Sequence, residues 1–299
     1  MRFGLCLPNF PFGVPPSPDA LVGVAQAADR SGFDSVWATD HILVPHDKPR
    51  YGLVYEVFAT LAYLGACTER VRLGTSILVI GLRDAILVAK QAATIDALTG
   101  GRMLLGMGAG YMAGEFQNLG RDFHERGKHF DEAIRVMRAL WTEDSPAFDG
   151  QYYHFKDTLF GPKPAQPGGI PIYVGGNSDY ALRRAAALGD STHFDDFTAD
   201  QVREARDKLR QLTQANGRHV ALSVRRTVDL RPALALSQGK TPPSAGAGAL
   251  AGSIDEVRAA VAAYADAGLD HLICQFEHET QEEHLAQIDL FARAIIGGQ

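Results

Sequence analysis

The chain has 299 residues, 46% of them hydrophobic, and a formal charge of −6, enough apolar material for a large α/β core as one domain or two. It has no run of Lys or Arg of the kind that a nucleic-acid or anionic-membrane surface demands. No apolar stretch approaches membrane-spanning length and no signal segment precedes the first strand, so a soluble, cytoplasmic protein acting on a small molecule is expected.

Short β-rich segments alternate with longer helical ones. Strands are expected at residues 3–7, 35–38, 71–77, 103–107, 172–174, 192–194, 221–228 and 271–276. Helices are expected at 19–31, 54–67, 84–98, 124–141, 179–188, 199–215, 254–267 and 281–295. Eight such pairs predict an α/β fold of the (β/α)8 TIM-barrel type, as a single domain over 1–299. Insertions at strand ends are expected near 148–170, where Asp149-Gly150 reads as a hairpin turn, and at 231–252, rich in Pro, Gly, Ala and Ser. The second reads equally as a lid or a plain loop.

The block from 70 to 111 constrains function most. It opens RVRLGTSILV, continues through a helix stopped by Gly100-Gly101, and closes LLGMGAG. Gly74, Thr75 and Ser76 interrupt the strand where a bulge or close ligand approach would fit. Gly106, Gly108 and Gly110 let backbone N–H groups approach a ligand. A dinucleotide fingerprint fails on spacing, because Tyr111 stands where the third glycine belongs.

Other motifs are imitations. Gly239-Lys240-Thr241 ends like a phosphate-binding loop, but Leu234 replaces the first glycine and Pro242-Pro243 block the helix. His124-Glu125 and His278-Glu279 begin like a zinc-protease helix, but Lys128 and Glu282 replace the second histidine, and no metal is expected. Cys6, Cys67 and Cys274, widely spaced in apolar surroundings, read as buried reduced thiols.

Barrel sites form at the carboxyl ends of strands. That rule selects Asn9 and Phe10, Asp40-His41, Ser76 to Val79, Gly108 to Gly110, Gly175 to Ser178, Asp195-Asp196 and Glu277-His278. His41 suits a proton donor beside a reacting centre, or a histidine satisfied by backbone. Asp40 reads as a site residue or a turn carboxylate, and Glu115 as a site acid or a first-turn carboxylate suited to the helix dipole.

TDHIL after strand two, the 70–111 block and PIYVGGNSDYALRRAAALGD resemble the bacterial luciferase-like monooxygenase superfamily, and in particular its branch dependent on coenzyme F420. The resemblance implies a TIM barrel binding F420, with FMN as the alternative, and His41 as the catalytic proton carrier. It further implies that Asp40, Ser76, Ile77, Val79, Gly108, Gly110, Gly175, Gly176, Asn177 and Ser178 hold the cofactor. Relatives carry a non-prolyl cis peptide at the position of Ser76-Ile77, and the helix opened by Gly175-Gly176-Asn177-Ser178 would take the cofactor phosphate. Asn9, Tyr111, Glu277 and His278 are the expected substrate contacts. The implied activity is hydride transfer between F420 and a small organic substrate. The alternatives are a two-component FMN monooxygenase and a non-catalytic flavin-binding barrel. A homodimer and a separate flavin or F420 reductase complete the expectations. The chain departs from the family at Gly189-Asp190-Ser191-Thr192, where relatives continue Gly-Asp-Gly-Trp.

Overall fold

Segments buried on both faces along most of their length form eight parallel strands in the computed structural model, which describes residues 1–215, 217–246 and 248–297. The strands are β1 (Arg2–Cys6), β2 (Ser35–Ala38), β3 (Arg72–Thr75), β4 (Met103–Gly108), β5 (Ile172–Gly175), β6 (Ser191–Asp195), β7 (Ser223–Asp229) and β8 (His271–Phe276). Neighbours pair in chain order, and β8 joins β1, with Leu5 opposite Cys274, to close the barrel.

The outer layer consists of α1 (Pro18–Arg30), α2 (Val57–Cys67), α3 (Ala85–Leu98), α4 (Arg126–Thr142), α5 (Asp179–Leu188), α6 (Ala199–Thr213), α7 (Ile254–Asp266) and α8 (Gln281–Phe291). Their starts follow capping chemistry. Asp84 accepts from the N–H groups of Ile86 and Leu87, while Thr198 and Ser253 form reciprocal capping boxes with Gln201 and Glu256. After α3, Gly100 and Gly101 take φ of +68° and +90°, the left-handed stop read from the sequence.

Three apolar clusters result among the described residues. The largest lies between strands and helices, a second fills the barrel interior with Cys6, Trp37, Leu104, Tyr173 and Ile273, and a small third joins Val79, Leu82 and Phe116. Trp37 explains two strand glycines. A Cβ on Gly74 would lie 2.3 Å from its ring, and one on Gly4 2.6 Å from its indole nitrogen. Gly74 therefore makes room for a core indole rather than for a ligand.

Several boundaries differ from expectation. The strand expected at 71–77 leaves the ladder after Thr75, and Leu78–Val79 then pairs with β4, so the interruption divides the strand. A short helix, Ala113–Asn118, precedes α4, and its single amphipathic turn carries too weak a period to read. The 231–252 insertion holds a helix, Arg231–Ser237, opened by Pro232, and a segment Leu250–Ala251 pairing with β7; Ala247 within it lies outside the described residues. Phe148–Asp149 and His154–Phe155 form the expected hairpin. Among the described residues no helix is long and apolar enough to cross a membrane, and all three cysteines are free.

Candidate active site

The carboxyl ends of β2 to β6 surround a cavity of about 820 Å³. Just past β2, Asp40 receives two parallel hydrogen bonds from Arg83, each 2.8 Å, and a third from the Val79 N–H at 3.0 Å. Burial raises its carboxyl above the ordinary range, and the Arg83 fork and the Val79 N–H oppose that rise. Asp40 thus braces the divided third strand against the end of β2.

His41 lines the cavity, and its Nδ1 lies 3.0 Å from Oε2 of Glu115, whose other oxygen accepts the Ile42 N–H at 2.6 Å. Burial alone would raise the Glu115 carboxyl, but hydrogen bonds from His41 and from the Ile42 and Leu43 backbone hold it below the ordinary value. A carboxylate at Nδ1 fixes the proton there and leaves Nε2 for the cavity. Among the described residues nothing hydrogen-bonds Nε2. Tyr51 packs over the imidazole with ring centres 4.3 Å apart, and Tyr111 approaches edge-on at 6.4 Å. Burial, then Tyr51, raises the Tyr111 phenol to about 12.

The peptide between Ser76 and Ile77 is cis. Ser76 Oγ lies 2.9 Å from Nε2 of His193, whose Nδ1 is 3.3 Å from Ser223 Oγ. Burial, then Arg225, pushes His193 down to about 3, so its imidazole is neutral and donates at one nitrogen while accepting at the other. The nearby glycines have a packing reason. A Cβ on Gly108 or Gly175 would lie 2.3 or 2.4 Å from Cδ1 of Ile77, and one on Gly110 would meet Val79 and Phe116 at 2.7 Å. The space they vacate belongs to Ile77, Val79 and Phe116, while their backbone lines the cavity.

Across the cavity, Gly175 to Ser178 lead into α5. Gly176, at φ +122°, donates to the His193 carbonyl, and Ser178 Oγ caps the Ala181 N–H at 3.2 Å. The Asn177 side chain is spent on β6, donating to the Asp195 carbonyl at 2.7 Å and accepting its N–H at 2.9 Å. The first turn of α5 presents N–H groups and the positive helix end to the cavity. Arg126 and Arg184 border the same region; Arg126 is held by the Gly110 carbonyl at 3.2 Å, and Arg184 by the Gly127 carbonyl at 3.1 Å and by an ion pair with Asp131.

The structure gathers His41, Tyr111 and every expected cofactor residue around this cavity. It does not bring Asn9 or His278 there. Asn9 is fully buried and spends its amide on both backbone atoms of Thr39, at 2.7 and 2.9 Å. His278 hydrogen-bonds the Phe276 carbonyl and stacks on His284, ring centres 4.0 Å apart. Glu277 lies in an adjoining smaller cavity. Sequence reasoning missed Arg126 as a wall residue and left Glu115 undecided. Arg126 sits in the first turn of α4, 16 residues past Gly110, and no motif marks it. Among the described residues no group of three His, Cys, Asp or Glu could hold a metal.

A family model described as luciferase-like monooxygenase matches residues 1–240. An uncharacterized protein of Mycobacterium tuberculosis is 36% identical over 209 residues, 64% of this chain and 69% of that one. The F420-dependent glucose-6-phosphate dehydrogenase of Gordonia bronchialis is 37% identical over 58% of this chain and 52% of its own length. The FMNH2-dependent dimethylsulfone monooxygenase of Pseudomonas putida is 31% identical over 67% and 55%. The solved structure of monooxygenase RslO1 from Streptomyces bottropensis superposes with a TM-score of 0.84 at 21% identity, covering 100% of this chain and 99% of that one.

Proposed function

The chain belongs to the luciferase-like monooxygenase family and is an enzyme of the oxidoreductase or monooxygenase class, and on that premise we propose that it is a coenzyme F420-dependent oxidoreductase moving a hydride between the deazaflavin and a small organic substrate. The observation that carries this reading is the His41–Glu115 pair at the cavity wall, a proton-handling group set by a buried carboxylate.

The residues present fit such a cofactor. Ser76, Ile77 and the glycine backbone of β4 offer a wall for a flat ring system, and the first turn of α5, with Arg126 and Arg184, suits its phosphate. Bound there, F420 supplies the hydride chemistry. His41 gives or takes the substrate proton at Nε2, and Glu115 holds the imidazole in the tautomer that allows it. Asp40 and Arg83 fix the Val79 segment, and Ser76 is anchored by neutral His193. These contacts orient the reacting groups, which is what the protein contributes to such chemistry.

Two relatives named F420-dependent glucose-6-phosphate dehydrogenases, from Gordonia bronchialis and Amycolatopsis mediterranei, support this choice of cofactor; the second is 27% identical over 90% of this chain. The Pseudomonas relative favours a second reading, an FMN-dependent monooxygenase served by a separate reductase. Titration with F420 and with FMN, followed by absorbance and tryptophan fluorescence, separates them. Micromolar FMN binding without F420 binding, and oxygen uptake on adding reduced FMN, would establish the second reading instead. A homodimer is the assembly proposed, and light scattering tests it; α2 and α3 leave Tyr63 and Leu87 exposed as apolar surface for it.

A further inference from the structure

A second cavity of about 250 Å³ adjoins the first and shares Thr39, Tyr51, Asp195 and Arg225 with it. Its remaining wall comes from the ends of β7 and β8, with Thr227, Gln275 and Glu277, and from Phe10, Phe12 and Arg50 opposite. Tyr51 lines both spaces and packs on His41, ring centres 4.3 Å apart.

The charges of this annexe are largely spent on each other. Arg225 is held by Asp195 at 2.8 and 3.0 Å, and Asp196 faces Arg226 at 3.4 Å. The Arg50 guanidinium lies over the rings of Phe12 and Phe10 at 4.8 and 5.5 Å, an exposed cation on an apolar platform. Among the described residues the side chains of Thr39, Thr227, Gln275 and Glu277 are left over. Gln275 is 8% exposed, and neither its amide nor the Glu277 carboxylate has a hydrogen-bond or ion-pair partner among the described residues. The Glu277 backbone is fixed, its N–H on the Val228 carbonyl at 2.9 Å and its carbonyl on Gln287 at 2.6 Å. An unpartnered carboxylate and an unpartnered amide that line this space can exchange hydrogen bonds with the hydroxyls of a ligand.

We propose that this annexe is the substrate subsite and that it takes an uncharged, hydroxyl-rich small molecule, Glu277 and Gln275 binding its hydroxyls and rejecting its phosphorylated counterpart. The inference rests on the F420 oxidoreductase reading for what happens at His41, but not for what binds. Among the lining groups a phosphate would meet three carboxylates, Asp195, Asp196 and Glu277, against two guanidinium groups, Arg225, already paired with Asp195, and Arg50, which has no carboxylate partner among the described residues. Like-charge repulsion in a confined site therefore opposes it. The preference is the reverse of the one carried in the name of the Gordonia bronchialis relative.

The test is calorimetric titration of glucose, sorbitol and glucose 6-phosphate into the protein with and without F420, followed by F420 reduction with each. Tighter binding of the neutral compounds is expected, by about tenfold or more. Glu277→Gln is expected to raise the KM for glucose about tenfold with the F420 affinity unchanged, and Gln275→Leu to act in the same direction. Preference for glucose 6-phosphate, equal binding of all three, or no binding of any would overturn the proposal. Failure of F420 to bind would instead sink the cofactor reading, because the cofactor-free titration reads the annexe independently.

Discussion

Nδ1 of His41 and Oε2 of Glu115 lie 3.0 Å apart although 74 residues separate them in the chain. The end of β2 supplies one and the short helix after β4 the other, and a single buried contact turns two polar residues into an oriented acid–base group.

The first expectation concerns that pair. His41→Ala should keep cofactor affinity and lose turnover by about 10²–10⁴-fold, the usual worth of a positioned proton carrier. Glu115→Gln should lose less, because the amide oxygen still accepts from Nδ1 while the negative charge is gone. Stopped-flow turnover beside a cofactor titration checks both, and unchanged turnover in His41→Ala would remove it from the mechanism.

Ile77 and Gly108 form a steric couple, with Cδ1 of Ile77 in the space a Gly108 side chain would take. Gly108→Ala should cost about 1–3 kcal/mol by overpacking and weaken cofactor binding. Adding Ile77→Val, which deletes Cδ1, should recover most of that loss. Urea unfolding of the single and double variants measures the coupling, and strictly additive losses would show that the two side chains do not compete.

Buried histidines make the fold acid-sensitive. Burial holds His193 and His284 down at about 3, and His271 well below its ordinary 6.5. Each is neutral when folded and takes a proton when unfolded, so the unfolded chain binds more protons below 6.5 and stability falls with pH from there toward 3. Denaturation midpoints at pH 7.5, 6.5, 5.5 and 4.5 should decline steadily. His284→Phe should flatten the slope, and a flat profile in the parent protein would contradict the assignment.

At the start of α5, Ser178→Ala removes the oxygen that caps the Ala181 N–H. The helix should lose about 1 kcal/mol of stability, and cofactor affinity should fall with it if this turn holds the phosphate. Inorganic phosphate should compete with the cofactor in the parent protein. Fluorescence displacement reads the competition, and its absence would move the phosphate elsewhere.

The alternation of apolar segments with amphipathic ones was enough to determine the barrel, because parallel strands buried on both faces need a helix after each. Gly100-Gly101 was legible for the same reason, being local chemistry read within four residues. The strand-end rule likewise placed Asp40, His41, Ser76 and the Gly175–Ser178 turn at one rim. Tertiary structure alone decided their partners. Asp40 is bound to Arg83, Glu115 to His41 and His193 to Ser76, each across a distance along the chain that no period or motif encodes. It also decided that Gly74, Gly108 and Gly175 are small for Trp37 and Ile77, since the reason for a missing side chain lies in the neighbour that occupies its place. Asn9 and His278 satisfied the strand-end rule yet turned to the backbone and to His284, because burial made internal hydrogen bonding and stacking their cheapest arrangement.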